Sequence, residues 1–161
     1  MKKLEKAALR NLKKTERLLL AGWTTGALHR ISEGKDSYCL IGAIHVADGD
    51  GEDIATLALA LAINKRAALK NFLSLDEVSL QQSAADKVWW IITNFNDSFE
   101  RKKERPVPKA ILQVLQKARR LVKRSVKAIE ILKENPLPGL QTPFRRRASK
   151  KTIKEIRDIF K

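Results

Sequence analysis

The chain is poor in the residues that build disulfides, zinc sites and histidine-dependent catalysis. Its 161 residues include one cysteine, Cys39, and two histidines, His29 and His45. A single cysteine excludes an internal disulfide and fits a reducing compartment. Because these three residues lack the paired spacing of zinc ligands, we predict no metal site and no cofactor.

Long apolar segments are also missing. The longest run, IATLALALAI at residues 54–63, is about half the length that a membrane span needs. The amino-terminal segment begins with lysines, as a signal peptide does, but Lys13, Lys14 and Glu16 interrupt its apolar stretch. We therefore expect a cytoplasmic protein without a membrane partner.

The glycine-containing stretches do not match known ligand loops. The segment DGDGED at residues 48–53 invites a calcium interpretation, but its sixth and twelfth positions hold Asp53 and Leu59. An EF-hand requires glycine and a carboxylate there. No glycine-rich segment ends in the Lys-Ser/Thr of a phosphate-binding loop, so nothing indicates a small-molecule substrate.

A thiol hydrolase is the one catalytic arrangement that the residue types allow. Such an enzyme needs a thiolate, a base within hydrogen-bonding distance and a group that orients the base. Cys39 and His45 are six residues apart, which is about 240° of rotation on one helix. They would not face each other, and a small buried residue is the simpler role for Cys39. We predict that the protein is not an enzyme, and a cysteine-dependent hydrolase is the third of our functional hypotheses.

The spacing of apolar residues predicts an all-α protein of about five helices, followed by a basic linker and a short terminal helix. No segment has a strong strand pattern, and a loop is predicted between residues 22 and 37. Proline residues after Glu134 end the helical pattern, which predicts a helical domain at 1–134 and a basic arm at 135–161. The predicted helices cover residues 2–20, 38–47, 54–73, about 80–94, and 106–134, with a last helix capped by Ser149.

Aromatic residues cluster in VWWIITNF at residues 88–95. Aromatic rings among cations can stack on nucleic-acid bases. This segment is otherwise apolar, however, so core packing is the favoured interpretation for Trp89 or Trp90.

Positive charge is abundant and unevenly distributed. The formal net charge is +15, and residues 100–161 contribute +14 of it through 20 basic and 6 acidic residues. No acidic residue lies between Glu104 and Glu130, although a mixed-sign surface is the usual way to solvate a helix. The candidate binding residues lie on the long predicted helix and in the arm: Lys117, Arg119, Arg120, Lys123, Arg124, Lys127, Arg145, Arg146, Arg147, Lys150 and Lys151.

A folded domain gains no stability from the repulsion within such a charge distribution, which leaves solubility or a polyanionic partner as its reason. The leading hypothesis is a non-enzymatic protein that binds DNA, RNA or a nucleic-acid-containing assembly through backbone phosphates, because no base-reading motif is present. The alternative is a phage or bacterial interaction or assembly protein whose basic arm docks on an acidic protein surface.

Three fragments in order resemble a small bacterial and phage domain family of unknown function. They are GWTTGAL at 22–28, YCLIGAI at 38–44, and NFND at 94–97 followed by Arg105 and a helix. The family pattern has tryptophan where this chain has Phe95, and the segment before Arg105 is longer and more basic here. The resemblance covers roughly residues 15–120 and implies a fold but no activity.

These fragments also have a structural interpretation. Gly42 is small enough to let another backbone approach a buried helix, with Trp23 filling space beside it. The side chains of Asn96 and Asp97 can accept backbone N–H groups where a helix ends, and an arginine nearby can pair with the carboxylate. The residues assigned structural roles are Trp23, Gly26, Cys39, Gly42, Asn96, Asp97 and Arg105.

Overall fold

A computed structural model describes residues 2–32, 34–47, 51–73, 88–99, 106–134 and 149–161. These residues form six helices and one two-stranded sheet, which confirms the mainly helical fold. The elements are α1 (Lys2–Ala21), β1 (His29–Ser32), β2 (Lys35–Tyr38), α2 (Leu40–Ala47), α3 (Glu52–Leu73), α4 (Trp89–Asp97), α5 (Lys109–Glu134) and α6 (Lys150–Ile159).

Helix α3 is the centre of the core. Every residue of Ile54–Ala62 is buried, because α1, α2, α4 and α5 all pack against this helix. A helix that is apolar all round needs such complete coverage. None of the helices in the described ranges, α3 included, has the length and apolar content needed to cross a membrane.

The helix predicted at 54–73 is interrupted at Asn64. The backbone there is not helical, with φ −144° and ψ 90°. Its side-chain Oδ1 accepts a hydrogen bond from the N–H of Ala67 at 3.0 Å. Asn64 therefore caps the second half of α3, which is a usual role for asparagine at a helix start.

Helices α5 and α6 complete the core from the carboxy-terminal side. The buried face of α5 includes Ile111, Leu115 and Val122, and α5 contacts both α3 and α1. Helix α6 contacts α5, and Ile156 of α6 and Phe160, the residue that follows it, are both buried in the core. The predicted division at residue 134 stays a prediction, since residues 135–148 lie outside the described ranges.

The hairpin formed by β1 and β2 corrects the prediction of no strands. Its register pairs His29 with Tyr38 and Ser32 with Lys35. All four residues of β1 are exposed, so the sequence has no alternation of apolar and polar residues to reveal a strand. Gly34, with φ 75°, supplies the left-handed conformation that a tight hairpin turn needs.

The prediction that Trp89 or Trp90 packs in the core is wrong. Their exposures are 43% and 45%, while Val88, Ile91 and Ile92 are buried. The continuous apolar run has no period that distinguishes its inner side from its outer side. Helix α4 also extends to Asp97 rather than ending at Asn94, and residues 80–87 of the predicted helix lie outside the described ranges.

Candidate functional site

Asn96 is the centre of a buried polar cluster at the end of α4. Only 1% of the residue is exposed. Its Oδ1 accepts hydrogen bonds from Trp23 Nε1 and from the backbone N–H of Leu40, both at 3.0 Å. Its Nδ2 donates to the carbonyl of Thr24 at 3.1 Å. One side chain thus joins α4 to the segment after α1 and to the first turn of α2, and we call this set of contacts the Asn96 hub.

Asp97 extends the hub toward solvent. Its Oδ1 accepts the backbone N–H of Gly26 at 2.9 Å and the Asn96 Nδ2–H at 3.1 Å. Gly26 has φ 65°, a conformation that favours glycine. The prediction that both side chains accept backbone N–H groups is confirmed, whereas Arg105 lies outside the described residues and its pairing with Asp97 stays a prediction.

Cys39 and Gly42 shape the start of α2. The Gly42 N–H donates to the Cys39 sulfur at 3.3 Å, and the Cys39 N–H donates to the Leu28 carbonyl at 3.1 Å. A Cβ at Gly42 would lie 2.0 Å from the Leu28 oxygen. The predicted close backbone approach at Gly42 is therefore confirmed, and its neighbour is this Leu28 carbonyl.

Trp23 connects the segment after α1 to the end of α4. Besides its bond to Asn96, its ring meets the edge of Phe99 with centroids 6.3 Å apart. A large aromatic side chain with one N–H is often half-buried in this way, with its polar group bonded. The expectation that it fills space beside Gly42 stays a prediction, while the nearest atoms to Gly42 belong to the Leu28 backbone.

The environment of Cys39 keeps its thiol neutral. The residue is 4% exposed. Burial raises the pKa of the thiol, the backbone N–H groups of Gly42 and Ile41 oppose that rise, and the Asp97 carboxylate adds to it. A nucleophilic cysteine needs the opposite shift, toward the thiolate.

Neither imidazole is bonded to this thiol within the described residues. His29 Nε2 lies 2.6 Å from Asp36 Oδ1 on the hairpin, and His45 Nδ1 lies 3.2 Å from Glu52 Oε1. Over the same described ranges, no group of three or more histidine, cysteine, aspartate or glutamate side chains could hold a metal ion. The absence of enzymatic activity stays a prediction.

The fold and the hub define a small helical domain in which Trp23, Asn96 and Asp97 bond separate segments of the chain to one another. The chain belongs to DUF6197, a family of unknown function, whose model matches residues 4–107. No curated protein matches the chain, and no solved structure matches it either. All three fragments that carry the resemblance lie inside the matched residues, whereas α5 and α6 lie beyond them.

Helix α5 carries a cationic face on the side that the core does not cover. Within the described part of the chain, none of its five residues forms an ion pair. At roughly 100° per residue they lie within about 120° of arc, and they extend along about 15 Å of the helix. The residues of this cationic face are Lys117, Arg120, Lys123, Arg124 and Lys127, all exposed.

Arg119 is separate from the cationic face, although the sequence groups it with the others. It is half-buried, and its Nη2 lies 2.5 Å from Oε2 of Glu16 on α1. About 100° of rotation separates Arg119 from Arg120. Arg119 therefore joins two helices, and the sequence alone could not distinguish it from its neighbour.

Two further groups of exposed cations, one on α6 and one on α1, are not among the binding residues predicted from the sequence. One is Lys154, which lines a groove between α5 and α6 with Lys127 and Lys151. The other lies along one side of α1, where three- and four-residue spacing could have revealed it: Lys6, Arg10, Lys13 and Arg17. Of the remaining predicted residues, Lys150 is exposed on α6, and Arg145, Arg146 and Arg147 lie outside the described ranges.

Proposed function

We propose that this protein binds the phosphate backbone of DNA or RNA through the cationic face of α5, without catalysing a reaction. The observation that carries the proposal is the exposure of five cations on one side of one helix, with no carboxylate bonded to any of them among the described residues. Repulsion among these like charges does not stabilise the fold. A polyanion would neutralise it.

The mechanism is electrostatic. Each lysine or arginine that neutralises a phosphate releases condensed counterions, which favours binding with little dependence on base sequence. The logarithm of the binding constant then falls with the logarithm of salt concentration by about 0.9 per phosphate on duplex DNA. Five contacts predict a slope of about −4.5.

The composition of this surface favours a nucleic acid over the alternative, an acidic protein docking in a phage or bacterial assembly. Every exposed residue of α5 is a lysine, arginine, glutamine or glutamate. Protein interfaces draw most of their binding energy from buried aromatic and arginine anchors in packed pockets. The exposed side of α5 has arginines but no aromatic or aliphatic anchor.

A matched pair of triple variants tests the proposal. One neutralises the cationic face by Lys117→Gln, Arg120→Gln and Arg124→Gln. The control removes the same charge from exposed residues of α3 by Lys65→Gln, Arg66→Gln and Lys70→Gln. Fluorescence anisotropy with labelled duplexes of about 20 base pairs, long enough to cover the cationic face, gives the dissociation constant at several salt concentrations.

We expect the face variant to lose affinity at least tenfold and to reduce the steepness of the salt dependence by about 2 to 3, because three phosphate contacts are lost. The control should change affinity less than about threefold. Equal losses in the two variants would show that net charge alone drives binding and would overturn the localised surface. Capture of a glutamate-rich peptide by the wild type, with no binding to either duplex, would favour the acidic-protein alternative.

A further inference from the structure

The groove between α5 and α6 is built from two distant parts of the chain. It is an open groove of about 500 Å³, a size that accommodates small ligands. It exists because Ile156 and Phe160 of α6 are buried against the domain. Its lining residues are Lys127 from α5 with Lys151, Lys154, Glu155, Asp158 and Ile159 from α6.

The charges in the groove are predominantly positive. Three lysines line it, and Lys127 belongs at the same time to the cationic face. Of the two carboxylates, Asp158 is already paired, since the Lys161 ammonium lies 2.5 Å from its Oδ1. Glu155 is then the one unpaired negative charge among the described lining residues. Three lysines against one unpaired carboxylate leave the groove positive, which suits an anionic group that can accept several hydrogen bonds.

We propose that this groove holds one backbone phosphate of the nucleic acid, with Lys127 contributed by α5 and Lys151 and Lys154 by α6. This inference rests on the proposed function and extends it, because α6 becomes the second wall of the binding surface. Lys127 connects the two parts, so a strand that lies along the cationic face continues into the groove. The ammonium groups act as donors without a fixed orientation, which is how lysines commonly hold phosphate.

The first test neutralises the α6 side of the groove. The variant Lys151→Gln with Lys154→Gln is compared with the control Lys65→Gln with Arg66→Gln, by anisotropy on the same labelled duplexes. Because both lysines contact one phosphate, the groove variant should lower affinity at least fivefold and reduce the steepness of the salt dependence by about 1 rather than about 2. The control should stay within about twofold of the wild type.

A second variant tests whether phosphate binding needs the packed position of α6 in addition to the charge of its lysines. Phe160→Ala removes one of the two buried apolar anchors of the α6 segment, Ile156 being the other, while leaving every lysine in place. It should also lose about 1 in the salt slope, and circular dichroism checks that the remaining helices are intact. A wild-type slope for Phe160→Ala would overturn the role of the groove.

A third variant concerns the opposing carboxylate. Glu155→Gln should raise affinity about two- to threefold, whereas Asp53→Asn, an equal charge change at an exposed site on α3, should not.

If the two groove lysines behave like their control while the face variant loses binding, the groove proposal is wrong and the proposed function stands. If neither variant differs from its control, both are wrong. If Lys151→Gln with Lys154→Gln weakened binding to a glutamate-rich peptide and left duplex binding unchanged, the groove would instead be a protein-docking site.

Discussion

The Asn96 hub and the cationic face of α5 use polar groups in opposite ways. In the hub, both ends of the Asn96 amide are bonded to other segments of the chain. On the cationic face, none of the five charged groups has an ion-pair partner among the described residues. The hub lies within the residues matched by the family model, and the cationic face lies beyond them.

This contrast separates what the fold uses from what it leaves available. A buried polar group is costly unless it is bonded, so the residues of the Asn96 hub are explained by the stability of the domain. An exposed charge without a partner adds little to stability, so the cationic face needs another explanation. The residues of the hub are therefore poorer candidates for the proposed binding surface than the residues of the cationic face.

The largest effect is expected at the hub. Asn96→Ala should lower the free energy of unfolding by roughly 3–5 kcal/mol, because it leaves the Trp23 and Leu40 N–H groups and the Thr24 carbonyl without their partner. Urea denaturation measures it. Asn94→Ala, at an exposed position on the same helix, is the control and should change stability by less than about 0.5 kcal/mol. Equal stability of the two variants would refute the structural role of the hub.

Gly42→Ala is expected to cost about 2 kcal/mol or more. Its new Cβ would meet the Leu28 oxygen at 2.0 Å, and overpacking of this kind costs about 1–3 kcal/mol. Helix propensity alone predicts the opposite sign, a gain of about 1 kcal/mol. The sign of the change in urea denaturation therefore decides between the two effects, and a stabilised variant would contradict the close approach.

Arg119 and Arg120 allow the same comparison, between a charge used by the fold and an exposed one, at two adjacent residues. Arg119→Gln should cost about 1 kcal/mol of stability through the loss of its half-buried pair with Glu16, with nucleic-acid affinity within about twofold of the wild type. Arg120→Gln should change stability by less than about 0.5 kcal/mol and weaken binding several-fold. Thermal unfolding and fluorescence anisotropy on both variants measure the changes in stability and in affinity. A binding loss in Arg119→Gln together with a stability loss in Arg120→Gln would show that the cationic face includes the wrong residue.

The smallest effect concerns Cys39. Since burial raises the pKa of its thiol, the unfolded chain releases this proton at a lower pH than the folded chain does. The contribution of the neutral thiol to stability is therefore present below the ordinary cysteine pKa and decreases as the pH rises above it. Unfolding of the wild type and of Cys39→Ser at increasing alkaline pH should show a steeper loss in the wild type, and parallel curves would contradict it.

The sequence alone predicted those features whose residue pattern has a single structural interpretation. The periodic apolar residues of α1 and α5 predicted those helices, and Asn96 and Asp97 have the short polar side chains that bond backbone groups where a helix ends. The hairpin was missed because its strands are exposed and cross-strand contacts such as His29 with Asp36 have no local pattern. The positions of Trp89, Trp90 and Arg119 depend on which neighbours cover them, and only the tertiary packing determines that.

The salt dependence of nucleic-acid binding by the wild-type protein is the decisive measurement for phosphate contacts at the cationic face. If the five cations contact backbone phosphates, the logarithm of the association constant for a duplex falls linearly with the logarithm of salt concentration, with a slope of about −4 to −5 and similar values for unrelated base sequences. A slope near zero, or no measurable binding at low salt, would contradict it.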